Sequence, residues 1–443
     1  NLVKPIFGSS FINISLFLLS FTIIELSPPL FTELQPDSSS YMHPSQNRQT
    51  LYYLLITLLN KVGIEIILFQ KILLSLSITS IVCLIQSKTS LFLGLISYLL
   101  IILNTYYISY SKTILPESIL FSLLNFAIVY LFKEKRSSLV IYALICGIIA
   151  SLKPIGILLS LILFIIFFIK NKKIYKVFIF LIFFTIPNII ENSFFYSQFK
   201  ERTTVFKQTA LGKLVILSGK DSFIINDYPV ELHPLLEKTK TEFKIVHKFV
   251  NSLDNMLLKA ELLSDYEVIA QYQTFNIESI KKLESNESIK FMNIKNIFFE
   301  IIKNNFYDYL KLSFIHYLGN WSIGSKARFL DNNDKIVPLY KELVESSGPI
   351  NLPNKILLEY VQILFVLFLF VLTVHTLHIV LCFFKSTDKK SLFMNASIIF
   401  LIQSYLIISS FANVSTPRYL MVVYPLIVMS NMYFLKLFLP NKK

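Results

Sequence analysis

The sequence contains few of the residues that build disulfide frameworks, metal centres or hinged helices. Its 443 residues include three cysteines and ten glycines. Cys83, Cys146 and Cys382 are far apart, lie in or at the ends of apolar runs and form no C-x-x-C pair, which indicates inert thiols. The six histidines lack H-E-x-x-H spacing. A metal at His375 and His378, three residues apart, is less favoured than simple helix packing. The chain also lacks internal repeats and low-complexity linkers.

Apolar residues dominate instead. Hydrophobic residues make up 54% of the chain, with 41 Phe and a mean hydropathy of +0.60, more than an ordinary soluble domain carries. A spanning helix needs about 20 mostly apolar residues. We predict an all-α polytopic membrane protein with ten spans, near residues 9–28, 64–86, 90–110, 118–132, 137–151, 155–170, 175–193, 356–384, 391–411 and 418–437. The first run is not a signal peptide, because no A-x-A-like cleavage site follows it.

The basic residues predict the orientation of these spans. With the N-terminus inside, the short inner loops carry Lys and Arg almost exclusively, with Glu134 and Asp388 as their acids. We therefore expect Lys135 and Lys389 to be cytoplasmic and residue 250 to be external. The formal charge of +14 reflects this topology, so it does not indicate a nucleic-acid partner, and a basic inner rim suits anionic membrane lipids.

The chain divides into three segments by composition. Residues 1–193 form an N-terminal transmembrane module with a first outer loop at 29–63, and residues 355–443 form C-terminal transmembrane helices. Between them, 194–354 is more polar and charge-balanced, which predicts an external, mainly helical insert. We favour packing on the membrane face as its role over substrate recognition.

Charged residues at the predicted outer face are few, and five of them mark a candidate site. Asp37 and Arg48 lie in the first outer loop, Glu117 precedes the fourth span, Lys153 precedes the sixth, and Arg418 begins the last. Ionisable groups beside hydrocarbon are costly, so each needs a partner or a function. Mutual ion pairs are the structural alternative, whereas their shared face favours a site in one cavity.

The first outer loop also contains "RQTLYYLLITLLNKVG", residues 48–63. Its apolar part is too short to span a bilayer comfortably, so we predict a juxtamembrane helix in the interface. Tyr52 and Tyr53 suit the headgroup level. If this segment spanned, every later loop would change sides and the Lys clusters would face outward.

Four stretches together resemble the multi-pass GT-C glycosyltransferases, in particular the branch of protein O-mannosyltransferases and aminoarabinose transferases. They are "PDSSSYMHPSQNRQTLYYLLITLLNKVG", "LPESILFSLLNFAIVYLF", "GIIASLKPIGILL" and "PRYLMVVYPLIV". The resemblance covers roughly residues 1–190 and 355–440. It implies a GT-C-like bundle and transfer of a sugar from a polyprenyl-phosphate donor to a lipid, glycan or protein acceptor at the outer or lumenal face.

The resemblance assigns roles to named residues. Asp37 fits the general base of an inverting displacement. Glu117 is either a second acid that orients the acceptor or an ion-pair partner of Lys153 or Arg418. The substrate-binding candidates are Arg48, Lys153, Arg418, Tyr41, His43 and Tyr419, of which the three cations suit the donor phosphate. Related enzymes often have two neighbouring acids in the first loop, whereas Ser38 follows Asp37 here and Glu33 lies four residues earlier.

Two other functions remain open from the sequence. A transporter or lipid flippase could line a path with the same charged groups, but scarce glycine and the lack of repeated halves disfavour it. A noncatalytic assembly subunit is the third interpretation. No cofactor is required, and a divalent Mg or Mn ion is an option rather than a need, since no cluster of acids appears. Heavy use of Lys, Ile, Asn and Phe hints at a bacterium, with the site facing outward from the inner membrane.

Overall fold

The computed structural model describes residues 11–30, 32–35, 37–46, 48–133, 136–171, 173–200, 202, 206–228, 230, 233–269, 294–322, 355–383, 389–412 and 417–438. Within these ranges the regular structure is helical, and no strand occurs. The chain forms two compact units. The first comprises 1–203, 363–405 and 421–443, and the second comprises 204–362 and 406–420.

Among the described residues, ten α-helices precede residue 200. They are α1 Phe11–Leu26, α2 Ser39–Met42, α3 Leu51–Lys61, α4 Ile66–Lys88, α5 Leu91–Ile102, α6 Thr105–Ser109, α7 Glu117–Leu131, α8 Arg136–Leu152, α9 Pro154–Lys170 and α10 Ile174–Gln198, with a 3-10 turn at Tyr110–Lys112. Three long helices follow later in the chain, at Lys355–Phe383, Lys389–Ala412 and Pro417–Lys436. Each of the ten predicted spans coincides with helical chain.

Five of the described helices are long and apolar enough to cross a membrane. Their apolar segments are Ile66–Lys88, Ile174–Gln198, Tyr360–Leu381, Leu392–Ala412 and Arg418–Lys436. A bent pair, Leu91–Ile102 with Thr105–Lys112, would make a sixth. The remaining apolar helices, among them α1, α7 and α9, have 10 to 17 residues. The class of all-α membrane protein is therefore confirmed, whereas the count of ten spans stays a prediction.

The predicted span at 90–110 is not one straight helix. Its two halves, α5 and the helix beginning at Thr105, meet at 58°. The side chain of Asn104 explains the break, because its Oδ1 accepts the backbone N–H of Tyr107 at 3.0 Å and caps the second half. Ser90 caps the start of α5 in the same way, at 3.2 Å from the N–H of Leu93.

Helices α7 to α10 form a bundle whose alternate members run parallel. Lys153, which precedes α9, pairs with Glu117 at the start of α7. At the other ends of the same two helices, Lys170 Nζ donates to the Leu131 carbonyl at 2.5 Å. Both α7 and α9 therefore start at one end of the bundle, and the chain direction places the starts of α8 and α10 at the other.

Close packing joins α8 to α10 along their length. A Cβ on Gly147 would lie 2.4 Å from the Phe184 carbonyl oxygen and 3.0 Å from the ring of Pro187, so glycine permits this approach. One turn further along, Ser151 Oγ donates to Asn188 Oδ1 at 3.0 Å. These contacts hold the end of α8 against the middle of α10, near the start of α9.

The second unit has its own hydrophobic core. Its described helices are Phe206–Ser218, His233–Asn251, Met256–Ile269, Ile294–Asn304 and Phe306–Gly319. Leu214, Leu236, Phe243 and Leu312 are among the residues of that core. Residues 406–420 also belong to this unit, whereas α10 continues to Gln198, so its boundaries differ from the predicted insert at 194–354.

Candidate active site

The first loop is fastened across the end of the bundle where α7 and α9 begin. Four sets of hydrogen bonds hold it: Leu30 N–H to Ser109 Oγ, Ile114 N–H to the Glu33 carbonyl, Gln49 Nε2 to the Ala150 carbonyl, and Thr50 N–H to Glu191 Oε1. Their donor–acceptor distances are 2.9 to 3.2 Å. Two of the anchoring residues, Ile114 and Ala150, lie three residues before Glu117 and Lys153, respectively, so the loop is held beside that pair.

Asp37 and Arg48 form an ion pair within this loop. Arg48 Nη2 lies 2.8 Å from Asp37 Oδ1, and Arg48 Nε donates to Ser40 Oγ at 3.3 Å. The short helix α2 makes this geometry, because Ser40 and Tyr41 lie in the turn that follows Asp37. The side chains of Asp37 and Arg48 are 29% and 21% exposed, so solvent reaches both groups.

Two tyrosines pack beneath Arg48. The guanidinium carbon lies 5.1 Å from the centre of the Tyr41 ring, a cation–π contact, and Tyr41 meets Tyr52 edge-on at 5.8 Å. Both tyrosines are buried, and Tyr52 Oη donates to Gln70 Oε1 at 2.7 Å. The Tyr52 ring is therefore enclosed by protein, and its position at the headgroup level stays a prediction. Tyr41 was predicted to bind substrate. In the structure its buried ring supports the Arg48 guanidinium.

The electrostatics of Tyr52 link the loop to the bundle. Burial raises the pKa of Tyr52 well above its ordinary value, and the negative charge of Glu117 raises it further, followed by Tyr41. Glu117 is therefore near enough to Tyr52 for its charge to be felt. Through the tyrosines, the pair of Asp37 and Arg48 and the pair of Glu117 and Lys153 belong to one polar layer.

Glu117 and Lys153 form a buried ion pair in this layer. Lys153 Nζ lies 2.5 Å from Glu117 Oε1, and the two side chains are 10% and 2% exposed, respectively. Glu117 is the first residue of α7, where a helix favours a negative charge. Lys153 has extended backbone at the start of α9, directly before Pro154. Of the two roles considered for Glu117, partnership with Lys153 is the one that the structure shows.

A third acid–base pair was not foreseen from the sequence. Glu191, near the end of α10, accepts from Arg202 Nη2 at 2.8 and 2.9 Å and from the Thr50 N–H. Arg202 stacks on the Phe195 ring, with 4.2 Å between guanidinium carbon and ring centre. The signal was available, because Glu191 is an acid at the end of an apolar run and such a residue requires a partner.

The other candidates differ in position. His43 is exposed in the loop after α2. Arg418 and Tyr419 start the helix Pro417–Lys436 and belong to the second compact unit, so their convergence with Asp37 and Lys153 stays a prediction. Among the described residues, no group of three or more His, Cys, Asp or Glu side chains could hold a metal ion.

Comparisons with known proteins add no family. No family model, characterised protein or solved structure matches this chain. The interpretation of the site therefore depends on its own chemistry. Three carboxylates lie around one loop, and each forms an ion pair with a cation. Of these three pairs, Asp37 and Arg48 form the one in which both side chains are more than a fifth exposed.

Proposed function

We propose that this protein is a membrane glycosyltransferase that moves a sugar from a polyprenyl-phosphate donor to an acceptor hydroxyl, with inversion at the anomeric carbon. The observation that supports it best is the solvent-accessible pair of Asp37 and Arg48 beside the buried pair of Glu117 and Lys153. Such a layer combines a carboxylate that can take a proton with cations suited to a phosphate.

In the proposed reaction, the acceptor oxygen attacks the anomeric carbon and forms the new glycosidic bond. The bond from that carbon to the phosphate oxygen breaks, and its electrons leave with the polyprenyl phosphate. Asp37 takes the proton of the acceptor hydroxyl, because its carboxylate is the most accessible of the three. Glu117 keeps Lys153 in place and does not act as the base.

Arg48 and Lys153 are the proposed phosphate ligands in the first unit. Arg48 is held by Asp37, Ser40 and the Tyr41 ring, so its planar group is already oriented. Lys153 has three N–H donors and gives one to Glu117, and a phosphate would share this cation with the carboxylate. Arg418 is the proposed third cation.

The wider setting is also part of the proposal. We propose ten spans in a bacterial inner membrane, with the Lys-rich loops inside and the polar layer facing outward. The donor would then reach the layer from the outer leaflet. Residues 194–354 would then be external, as their composition predicts.

The decisive experiment compares Asp37→Asn with Glu33→Gln in the full-length protein in nanodiscs. Asparagine keeps an oxygen for the bond to Arg48 but cannot take the proton, so transfer should fall by about 100-fold or more with donor affinity nearly unchanged. Glu33 is an exposed acid of the same loop whose backbone carbonyl accepts the N–H of Ile114, so Glu33→Gln should transfer normally. The readout is radiolabelled sugar moved from the lipid-phosphate donor to acceptor extract.

The opposite pattern would refute the assignment. Full transfer by Asp37→Asn and loss in Glu33→Gln would move the base to Glu33. Absence of transfer by the wild type with every donor tried would favour the transporter or the noncatalytic subunit. One observation favours transport, since the 58° break between α5 and α6 resembles the interrupted helices of transporters. Donor crossing between leaflets of sealed vesicles would distinguish transport from the silent subunit.

A further inference from the structure

A cavity of about 750 Å³ lies at the end of the bundle opposite the polar layer. It is formed where α7 and α9 end and α8 and α10 begin. Since α7 has 15 residues, its two ends are separated by about 22 Å. The polar part of the lining consists of Tyr130, Lys133, Ser138, Lys170, Asn171 and Lys176. No residue assigned to the candidate active site contributes to it.

The charge of this lining is of one sign. Three lysines line the cavity, and its described lining includes no carboxylate. All three are half-buried, so water screens their mutual repulsion less than it would on an open surface. Lys170 donates to the Leu131 carbonyl at 2.5 Å, Lys176 donates to Asn171 Oδ1 at 2.8 Å, and Lys133 Nζ lies 5.1 Å from the centre of the Tyr130 ring. A bound anion would stabilise this arrangement.

Two further features define the anion. The first turns of α8 and α10 both border the cavity, and the starts of helices carry partial positive charge. The rest of the wall is aromatic and aliphatic, with Tyr142, Phe167, Tyr175 and Ile179 among its residues. The volume lies in the range typical of pockets for organic ligands, about 300 to 1,000 Å³. An inorganic ion alone would leave these walls without contacts.

We infer that this cavity is a binding site for an organic phosphate, with its phosphate held by Lys133 and Lys176 and its organic group against the aromatic walls. The phosphate could belong to a lipid headgroup or to a soluble metabolite. This inference does not rest on the proposed function, because the site lies at the far ends of α7 and α9.

Binding curves of the full-length protein in neutral detergent test this inference. The lipid probe is dioleoylphosphatidylglycerol, the soluble probe is glycerol 3-phosphate, and phosphatidylcholine is the neutral lipid control. The variant Lys133→Gln with Lys176→Gln should bind about tenfold more weakly or worse, since each lysine supplies charged hydrogen bonds to phosphate. Lys173→Gln is the matched control, because Lys173 is an exposed lysine of the same loop outside the cavity lining.

Each outcome has a defined meaning. Saturable binding that is weakened by the cavity variant but not by the control supports the site. If glycerol 3-phosphate does not compete with the lipid, the ligand is a lipid headgroup. If it competes at a similar concentration, the ligand is a soluble phosphate. No saturable binding of either probe, or equal weakening by Lys173→Gln, would overturn the inference. Unchanged melting midpoints of the variants exclude misfolding, and Lys176→Arg with wild-type Lys133 should retain binding.

Discussion

Water reaches the three acid–base pairs of the candidate site to different extents. Asp37 is 29% exposed, whereas Glu117 and Glu191 are at most 4% exposed as side chains. A carboxylate that must meet an acceptor needs an open approach, and a carboxylate that holds a cation in place does not. In the proposed reaction, the burial of Glu117 and Glu191 therefore favours positioning roles for these two acids. The sequence identified four of these six residues by charge and location, but pairing depends on tertiary contacts that no local pattern encodes.

The buried pair should be far more sensitive to loss of one partner than an exposed pair. Lys153→Met leaves the Glu117 carboxylate without its cation in a buried site, so we expect destabilisation of about 3 to 5 kcal/mol. Combining Lys153→Met with Glu117→Gln should restore most of this loss. The effect is measured by thermal unfolding of the detergent-solubilised protein, with size-exclusion chromatography to quantify the folded fraction that remains.

A second ion pair provides the control for this comparison. Lys71 and Glu25 lie 2.8 Å apart, but the Glu25 side chain is 49% exposed. Lys71→Met should therefore cost at most about 1 kcal/mol. If Lys153→Met were as stable as Lys71→Met, the pair of Glu117 and Lys153 would not be a buried structural pair.

His247 should make the stability of the second unit depend on pH. Burial lowers the pKa of His247 below 6.5, despite its hydrogen bond to the Ile216 carbonyl. The unfolded chain therefore binds more protons than the folded one as pH falls through about 6.5. The free energy of unfolding should be highest above this pH, decrease below it, and level off beneath the folded-state pKa.

The chain's one tryptophan is a suitable reporter of this effect. Trp321 is buried in the same unit, so its fluorescence during urea unfolding reports on that unit. His247→Gln keeps a donor for the Ile216 carbonyl but does not titrate. This variant should lose part of the decrease between pH 7 and pH 5. The same pH dependence in wild type and His247→Gln would show that other groups cause it.

At the scale of elements, the positions of helices follow the hydrophobic runs, and their interruptions follow single polar residues. The predicted helix in residues 48–63 is observed as α3, which ends just before Gly63, where φ is +73° and glycine is favoured. The bend between α5 and α6 was missed because hydropathy continues through it. Asn104 was its signal, since an asparagine side chain can cap a new helix within an apolar run.

The close contact between α8 and α10 can be tested by replacing Gly147 with alanine, which adds one methyl group. Gly147→Ala should stabilise an isolated helix by up to about 1 kcal/mol, because alanine has the higher helix propensity. In the bundle, the new Cβ would meet the Phe184 carbonyl oxygen at 2.4 Å, so we expect a net loss of about 1 to 3 kcal/mol. The thermal unfolding assay distinguishes the two by sign. Stabilisation by Gly147→Ala would mean that α8 and α10 do not approach each other closely at Gly147.

At the scale of the whole molecule, composition located the polar middle of the chain but not the limits of the unit to which it belongs. Residues 406–420 cover the end of one predicted span, the connection that follows it and the start of the last span, yet they belong to the second unit. Tyr309 Oη donates to the Phe411 carbonyl at 2.5 Å, and Asn320 Nδ2 donates to Ser410 Oγ at 3.0 Å. These contacts join residues about 100 positions apart, so a local window of sequence does not reveal them.

The orientation of the whole molecule leads to a prediction that decides whether the polar layer can face outward. If the Lys-rich loops are inside, a cysteine at position 173 should be protected from an impermeant thiol reagent in intact cells, and one at position 244 should be labelled. Val250, within the segment predicted to be external, is buried at 3% exposure and would report burial instead of sidedness. Lys244 is 64% exposed in its side chain, and Lys173 is also exposed. Both variants are made in a background without the three native cysteines, and both should react after the cells are lysed. Labelling at 173 but not at 244 in intact cells would invert the molecule and place the organic-phosphate cavity, rather than Asp37 and Arg48, on the outer face.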